Sequence, residues 1–178
     1  RDSSTSRGSE MCIRDRRNIT VSTCGLVDKI RMLADEKLQI TLAISLHAPN
    51  DEIRRQTMPI ANRYTIGEII QACKYYFDKT GRRITFEYSM IRGVNDKEEH
   101  AKELAGRLSG LNCHINLIPL NEVKERNCYR STKEDIEKFK TILEKYRKTV
   151  TIRREMGSDI DAACGQLRKK FLTKNGRN

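Results

Sequence analysis

The sequence predicts an α/β chain whose parallel strands form the latter part of a larger (β/α) barrel. Short apolar runs alternate with segments of helical period from Asn18 onward, giving five strands and four helices. Gln39 to Leu46 is nearly continuously apolar, as expected of a strand buried on both faces of a parallel sheet. The sheet also begins abruptly at Asn18, so it reads as the later strands of a barrel of which the earlier ones are not part.

Asn18 to Ser22 is the first predicted strand, closed by Gly25, and Leu26, Val27, Ile30, Leu33 and Ala34 follow at helical spacing. After Gln39 to Leu46, Asn50 and Asp51 are suited to cap a short helical turn at Glu52 to Arg55. Thr65 and Glu68 form a capping box for a helix carrying Ile69, Ile70, Cys73, Tyr76 and Phe77, which Gly81 ends. Ile84 to Ile91 is the next strand, and Gly93-Val94-Asn95-Asp96 reads as a turn leading into a helix from Lys97 to Leu108. His114 to Leu120 is the fourth strand. Ser131 and Glu134 then cap a helix with Ile136, Phe139, Ile142, Leu143 and Tyr146, and Thr149 to Arg153 is the fifth strand. Residues 1–16 are rich in Ser, Arg and Gly, have no usable period and read as a non-native cloning or adapter tail. Residues 17–155 form the barrel part, and 156–178 a C-terminal segment with one cysteine and a basic tail.

A net charge of +11 over 178 residues favours a polyanionic partner such as RNA or DNA, although charge runs also serve simply as solvated surface. The positive residues cluster at Arg153-Arg154, Arg168-Lys169-Lys170 and Lys174 to Arg177. No run of 18 apolar residues and no secretory leader occurs, so no membrane span is expected and the cytoplasm is the expected compartment. Six cysteines at wide spacing, with no Cys-x-x-Cys pair, give neither a disulfide framework nor a recognisable zinc or iron–sulfur motif.

Parallel sheets place ligands at the carboxyl ends of their strands. Ser22-Thr23, Ser45-Leu46-His47, Asn116 and Asn121 lie within or just beyond those ends. His47 is open to two readings, a base or ligand contact and a structural hydrogen bonder. No Gly-rich turn follows the first strand, which disfavours a conventional methyltransferase or dinucleotide site. Near the end, Gly157-Ser158-Asp159-Ile160-Asp161-Ala162-Ala163-Cys164-Gly165-Gln166-Leu167 sets a thiol among small residues after two carboxylates. Such a thiol can act as a nucleophile or group carrier; a semi-buried packing role is the alternative.

Five blocks in order resemble the RlmN/Cfr family of radical-SAM RNA methyltransferases. They are Val21 to Gly25, Ala43 to Asp51, Glu87-Tyr88 with Gly93 to Asp96 and Glu99-His100-Ala101, Ile115 to Pro119 with Asn121, and Asp159 to Leu167. The resemblance spans about residues 17–167 and implies a partial TIM-like barrel of the radical-SAM type, C-terminal part only. It implies that Ser22, Ser45, Leu46, His47 and Asn121 contact S-adenosylmethionine (SAM) and that Cys164 is the methyl carrier. The implied reaction methylates C2 of an adenine in 23S rRNA, and in tRNA, as in RlmN-type members; Cfr-type members methylate C8. Cys164 takes a methyl from one SAM, and a radical generated from a second SAM at a [4Fe–4S] cluster removes a hydrogen from the S-methyl group. The carbon then adds to adenine, and a second cysteine releases the product through a disulfide with Cys164.

The family's Cys-x3-Cys-x2-Cys cluster motif, resolving cysteine, general-base glutamate and Gly-Glu SAM contact are not in this sequence, and Cys12 and Cys24 match none of them. The expectation is therefore no metal site in this chain, no methyltransferase activity of the 178-residue chain alone, and a monomer. The competing reading is a non-catalytic, basic RNA-binding half-barrel.

Overall fold

The computed structural model describes residues 19–120 and 129–153. Their elements run β1 (Thr20–Thr23), α1 (Val27–Asp35), β2 (Thr41–Ser45), α2 (Asp51–Thr57), a 3₁₀ turn (Pro59–Asn62), α3 (Ile66–Thr80), β3 (Ile84–Met90), α4 (Glu98–Arg107), β4 (Cys113–Pro119), α5 (Lys133–Lys145) and β5 (Thr149–Ile152). The predicted alternation of parallel strands and helices is what the structure has, with the short turn after β2 grown into the seven-residue α2.

All neighbouring strands are parallel, and the order in the sheet is the order in the chain, β1 to β5. When each right-handed crossover steps in the same direction, every crossover helix falls on the same face. This is the winding of a barrel wall and not of a doubly wound sheet, whose strand order reverses. α1 packs on α3 and α4 on α5 across that covered face. Burial follows: Ile84, Phe86, Tyr88 and Met90 of β3, and Ile115 and Leu117 of β4, are buried against the helices. The intervening residues are only half-buried on the opposite, open face.

The open face carries two registered rows of small and polar side chains. One runs Ser22, Ala43, Thr85, His114, Thr149, and the next Ser45, Glu87, Asn116, Thr151. This qualifies the expectation that the second strand is buried on both faces. Ala43 is buried, but its open-face neighbours Thr41 and Ser45 are half-buried, because no helix covers that side.

The caps of α3 are as the sequence predicts. Thr65 Oγ1 accepts from the Glu68 amide at 3.2 Å, the Glu68 carboxylate accepts from the Thr65 amide at 2.8 Å, and Gly81 ends the helix in the left-handed region at φ 65°. α5 differs by one residue. Thr132, not Ser131, is its N-cap and accepts from the amide of Asp135, not Glu134, at 3.1 Å. Ser131 is buried, and its hydroxyl is drawn to Asp96 at 2.7 Å.

Candidate functional site

The carboxyl ends of β1 and β2 are tied by Arg54. It sits on α2 yet is completely buried, its guanidinium surrounded by main-chain carbonyls. Nη2 donates to Cys24 O at 2.7 Å and, at 3.5 Å, reaches Ser45 O; Nε donates to Leu46 O at 3.2 Å and Nη1 to Tyr64 O at 3.3 Å. Burial lowers the pKa of Arg54, opposed by the nearby Asp51 carboxylate. Gly25, one residue past Cys24, has φ 96°, and a Cβ there would lie 2.6 Å from Ile69 Cδ1 and 3.3 Å from Arg54 Nη2. Only glycine both adopts that backbone and admits those neighbours.

His47 follows β2 with φ 58°, an uncommon conformation for a non-glycine residue, and is held from three sides. Its amide donates to Glu87 O at 3.2 Å, its carbonyl accepts from Asn95 Nδ2 at 2.8 Å, and its ring Nδ1 accepts from the Ser89 amide at 3.0 Å. With Nδ1 accepting, the proton of the neutral ring is assigned to Nε2. Burial, then the positive charge of Arg54, lowers the His47 pKa from 6.5 to about 4, so the imidazole is neutral at pH 7. Of the two readings open in the sequence, the structure supplies the structural hydrogen bonder at Nδ1 and leaves Nε2–H as the group able to donate to a ligand.

Asn95 is the second clamp. Fully buried, it accepts from the Ile91 amide at 2.7 Å and donates to Ser89 O at 2.7 Å as well as to His47, while its own carbonyl accepts from Tyr88 Oη at 2.7 Å. Asn50 caps α2 through the Ile53 amide at 3.0 Å, and Asp51 accepts from the Ile66 amide at 2.7 Å. Both therefore act as fastenings of the same edge, the first as the sequence predicts.

Ser22 is exposed and Ser45 half-buried on adjoining open-face rows, and His47 lies just past Ser45, so three of the expected ligand contacts meet at one edge. Leu46 is placed differently. Its side chain is fully buried on the helix-covered side, its amide donates to Glu87 O at 3.0 Å and its carbonyl accepts from Arg54. Asn121 and Cys164 lie outside the described residues, as do residues 1–16, the 156–178 segment and the basic clusters from Arg154 onward.

A hydrogen-bonded line extends the edge along the open face. Asn116 Nδ2 donates to Glu87 Oε2 at 3.0 Å, Thr151 Oγ1 donates to Asn116 Oδ1 at 3.2 Å, and Thr151 lies 3.0 Å from His114 Nε2. Burial and the charge of Arg83 lower the His114 pKa. Glu87, Thr151, Arg54 and Asn95 were not among the residues the sequence singled out as site groups. Arg54 gives no signal in a short charged turn, whereas the strand register exposes the Glu87 row once β2 to β5 are aligned.

Two serine hydroxyls, an imidazole N–H and a carboxylate suit a ligand with hydroxyls, ring nitrogens and a cationic centre, as SAM has. An iron–sulfur cluster finds no such set among the described residues. Among the described residues no three His, Cys, Asp or Glu side chains are grouped to hold a metal. The described cysteines Cys24, Cys73 and Cys113 are free, and burial pushes the Cys73 thiol up to about 12. No helix of the described residues is long and apolar enough to cross a membrane.

Residues 6–105 match the family model described as the radical SAM superfamily. The chain belongs to that superfamily. A probable dual-specificity RNA methyltransferase RlmN from Clostridium novyi is 60% identical over 160 residues, covering 90% of this chain and 47% of the relative. The same-named protein of Lachnospira eligens is 62% identical over 157 residues, covering 88% and 45%. The crystal structure of a radical SAM methyltransferase from Sphaerobacter thermophilus superposes with a TM-score of 0.81 at 52% identity, over 85% of this chain and 44% of that one. A domain of a pyruvate-formate lyase-activating enzyme from Bacteroides vulgatus, TM-score 0.58 at 17% identity, covers 86% of this chain and 96% of that one and speaks for the fold alone. The chain spans about half the length of the curated relatives it matches.

Proposed function

We propose that this chain is the carboxyl-side part of the catalytic barrel of an RlmN-type radical SAM RNA methyltransferase, acting on C2 of an adenine in 23S rRNA and in tRNA. The supporting observation is the edge at which Ser22, Ser45 and His47 meet, in a chain about 60% identical to proteins named as dual-specificity RNA methyltransferases. Bound SAM supplies the methyl group and, with a reduced [4Fe–4S] cluster held elsewhere in the whole protein, the radical chemistry. The chain's own residues bind and orient. Ser22 and Ser45 offer hydroxyls, His47 an Nε2–H donor with no charge of its own at pH 7, and Asn121 extends the contact set. Leu46 contributes through the main chain and by filling the core beneath the edge.

Cys164 is the methyl carrier in this reading, because an sp² ring carbon without a lone pair is a poor nucleophile for direct displacement on SAM. A thiolate accepts the methyl first, and attack of a second cysteine of the whole protein on the Cys164 sulfur breaks the carbon–sulfur bond of the adduct, so that the disulfide forms as the product is released. The net charge of +11 suits an RNA partner, and the reading includes a cytoplasmic, monomeric enzyme. Its division of labour assigns residues 17–155 to the barrel, 156–178 to carrier cysteine and basic tail, and no role to 1–16.

The test is substitution of Cys164→Ala in the whole enzyme carrying these residues. Methyl transfer to RNA is expected to disappear while RNA binding persists, with the wild-type product carrying its methyl on C2. Undiminished transfer would overturn the carrier role, and methyl on C8 the RlmN-type assignment. The 178-residue chain alone is expected to cleave no SAM under reducing conditions; cleavage products would contradict that.

A further inference from the structure

We infer that Arg54 is a positioning residue of the candidate site, its buried guanidinium setting the relative placement of the strand ends that carry Ser22, Ser45 and His47. The inference rests on the reading of that edge as a SAM pocket.

The observation behind it is where the side chain's partners lie. Cys24 O is two residues past Ser22, Ser45 O belongs to a site residue itself, Leu46 O immediately precedes His47, and Tyr64 O opens the approach to α3. One planar fork therefore reaches the ends of two strands and the segment behind them. A guanidinium can do this because its donors are fixed in one plane and diverge, whereas an ammonium offers a single point. Its surroundings are also unusual. A fully buried cation ordinarily meets a carboxylate, since removing charge from water is costly unless an opposite charge offsets it. Here every hydrogen-bond partner is a neutral carbonyl, and the nearby Asp51 carboxylate is engaged by the Ile66 amide.

The backbone on the β1 side is shaped around the same group. Gly25 turns with φ 96° where a Cβ would crowd Arg54 Nη2 at 3.3 Å. On the β2 side the charge of Arg54 adds to burial in holding the His47 ring neutral. Arg54 thus acts on all three described polar site residues without reaching the open face itself.

The experiment compares the native 178-residue chain with Arg54→Lys, Arg54→Met and, as a stability control, Leu143→Ala. Leu143 is fully buried on α5, away from the strand ends that carry the site residues. SAM affinity is measured by calorimetry, thermal stability by circular dichroism, and the His47 ring by ¹⁵N NMR across pH. Arg54→Lys and Arg54→Met are expected to weaken SAM binding about ten-fold or more, the scale of losing well-placed hydrogen bonds. Leu143→Ala is expected to lower the melting temperature and leave the Kd unchanged. The His47 titration should rise in Arg54→Met, with shifted amide signals at Ser22 and Ser45.

Native SAM affinity in a folded Arg54→Lys or Arg54→Met overturns the inference. If the native chain itself binds no SAM, the pocket reading of this chain fails separately. The ring and amide signals then decide: unchanged signals in both variants overturn the positioning role, and displaced ones support it.

Discussion

His47 combines a left-handed backbone, a fully engaged main chain and a ring nitrogen occupied by the Ser89 amide, so its protonation is set against the fold. The native pKa is about 4 against an ordinary 6.5. Between those values the unfolded chain holds a proton that the native chain refuses, and stability falls as pH falls. His47 therefore costs nothing above about pH 6.5 and progressively destabilises the fold down to about pH 4, by up to roughly 3 kcal/mol. Asparagine tolerates the left-handed region and does not titrate, which makes His47→Asn the informative substitution. Urea denaturation at pH 7 and pH 4.5 is expected to show the native chain losing about 2.5 kcal/mol more than His47→Asn. Equal losses would mean that the ring titrates normally and that Nδ1 is not held.

The turn from β1 into α1 is the tightest junction at the site. Gly25→Ala places a methyl 2.6 Å from Ile69 Cδ1 on α3 in a backbone region that alanine rarely adopts, and α1 and α3 pack together directly behind it. Strain and overlap together are expected to destabilise by about 2–4 kcal/mol. Ile69→Val deletes the Cδ1 that the new methyl meets, so the double substitution should recover part of that loss, read as non-additive melting temperatures. Strict additivity would locate the penalty in the backbone alone. The helix signals that were legible are those written within one turn, such as the Thr65–Glu68 box and Gly81. The cap of α5 was misplaced by one residue because Ser131 and Thr132 are equally competent locally, and Asp96, 35 residues upstream, takes the Ser131 hydroxyl. Asn95 is a similar case. Its sequence context reads as a turn, and only the fold brings its amide to His47, 48 residues away.

One-way winding of the sheet explains how the chain can bury a substantial core and still leave a functional face open. Helices on one side give β3 and β4 strict alternation of buried and half-buried residues, and the opposite side keeps a polar row from Ser45 to Thr151. The sequence reading placed β3 and β4 as strands without assigning their faces, and in β2 the small Ala43 made a one-sided strand look apolar throughout. The strand ends holding Ser22, Ser45 and His47 were legible, since parallel sheets gather ligands there, but the Arg54 tie among them was not, since it joins carbonyls, which every residue has. Charge acts over the whole chain. An excess of +11 is far more than a neutral ligand needs, and it attracts a phosphate backbone without regard to base. If RNA is the partner, binding releases counterions in proportion to the phosphates contacted, and about six contacts would cost roughly 10³-fold in affinity between 50 and 200 mM salt. Fluorescence anisotropy with a labelled adenine-containing RNA hairpin measures this directly. A steep fall with salt is expected, and it should be nearly the same for a hairpin of different sequence, because the contacts that supply the affinity are to phosphates. An affinity that is flat in salt would mean that the positive charges stay solvated and that the excess has no part in holding RNA.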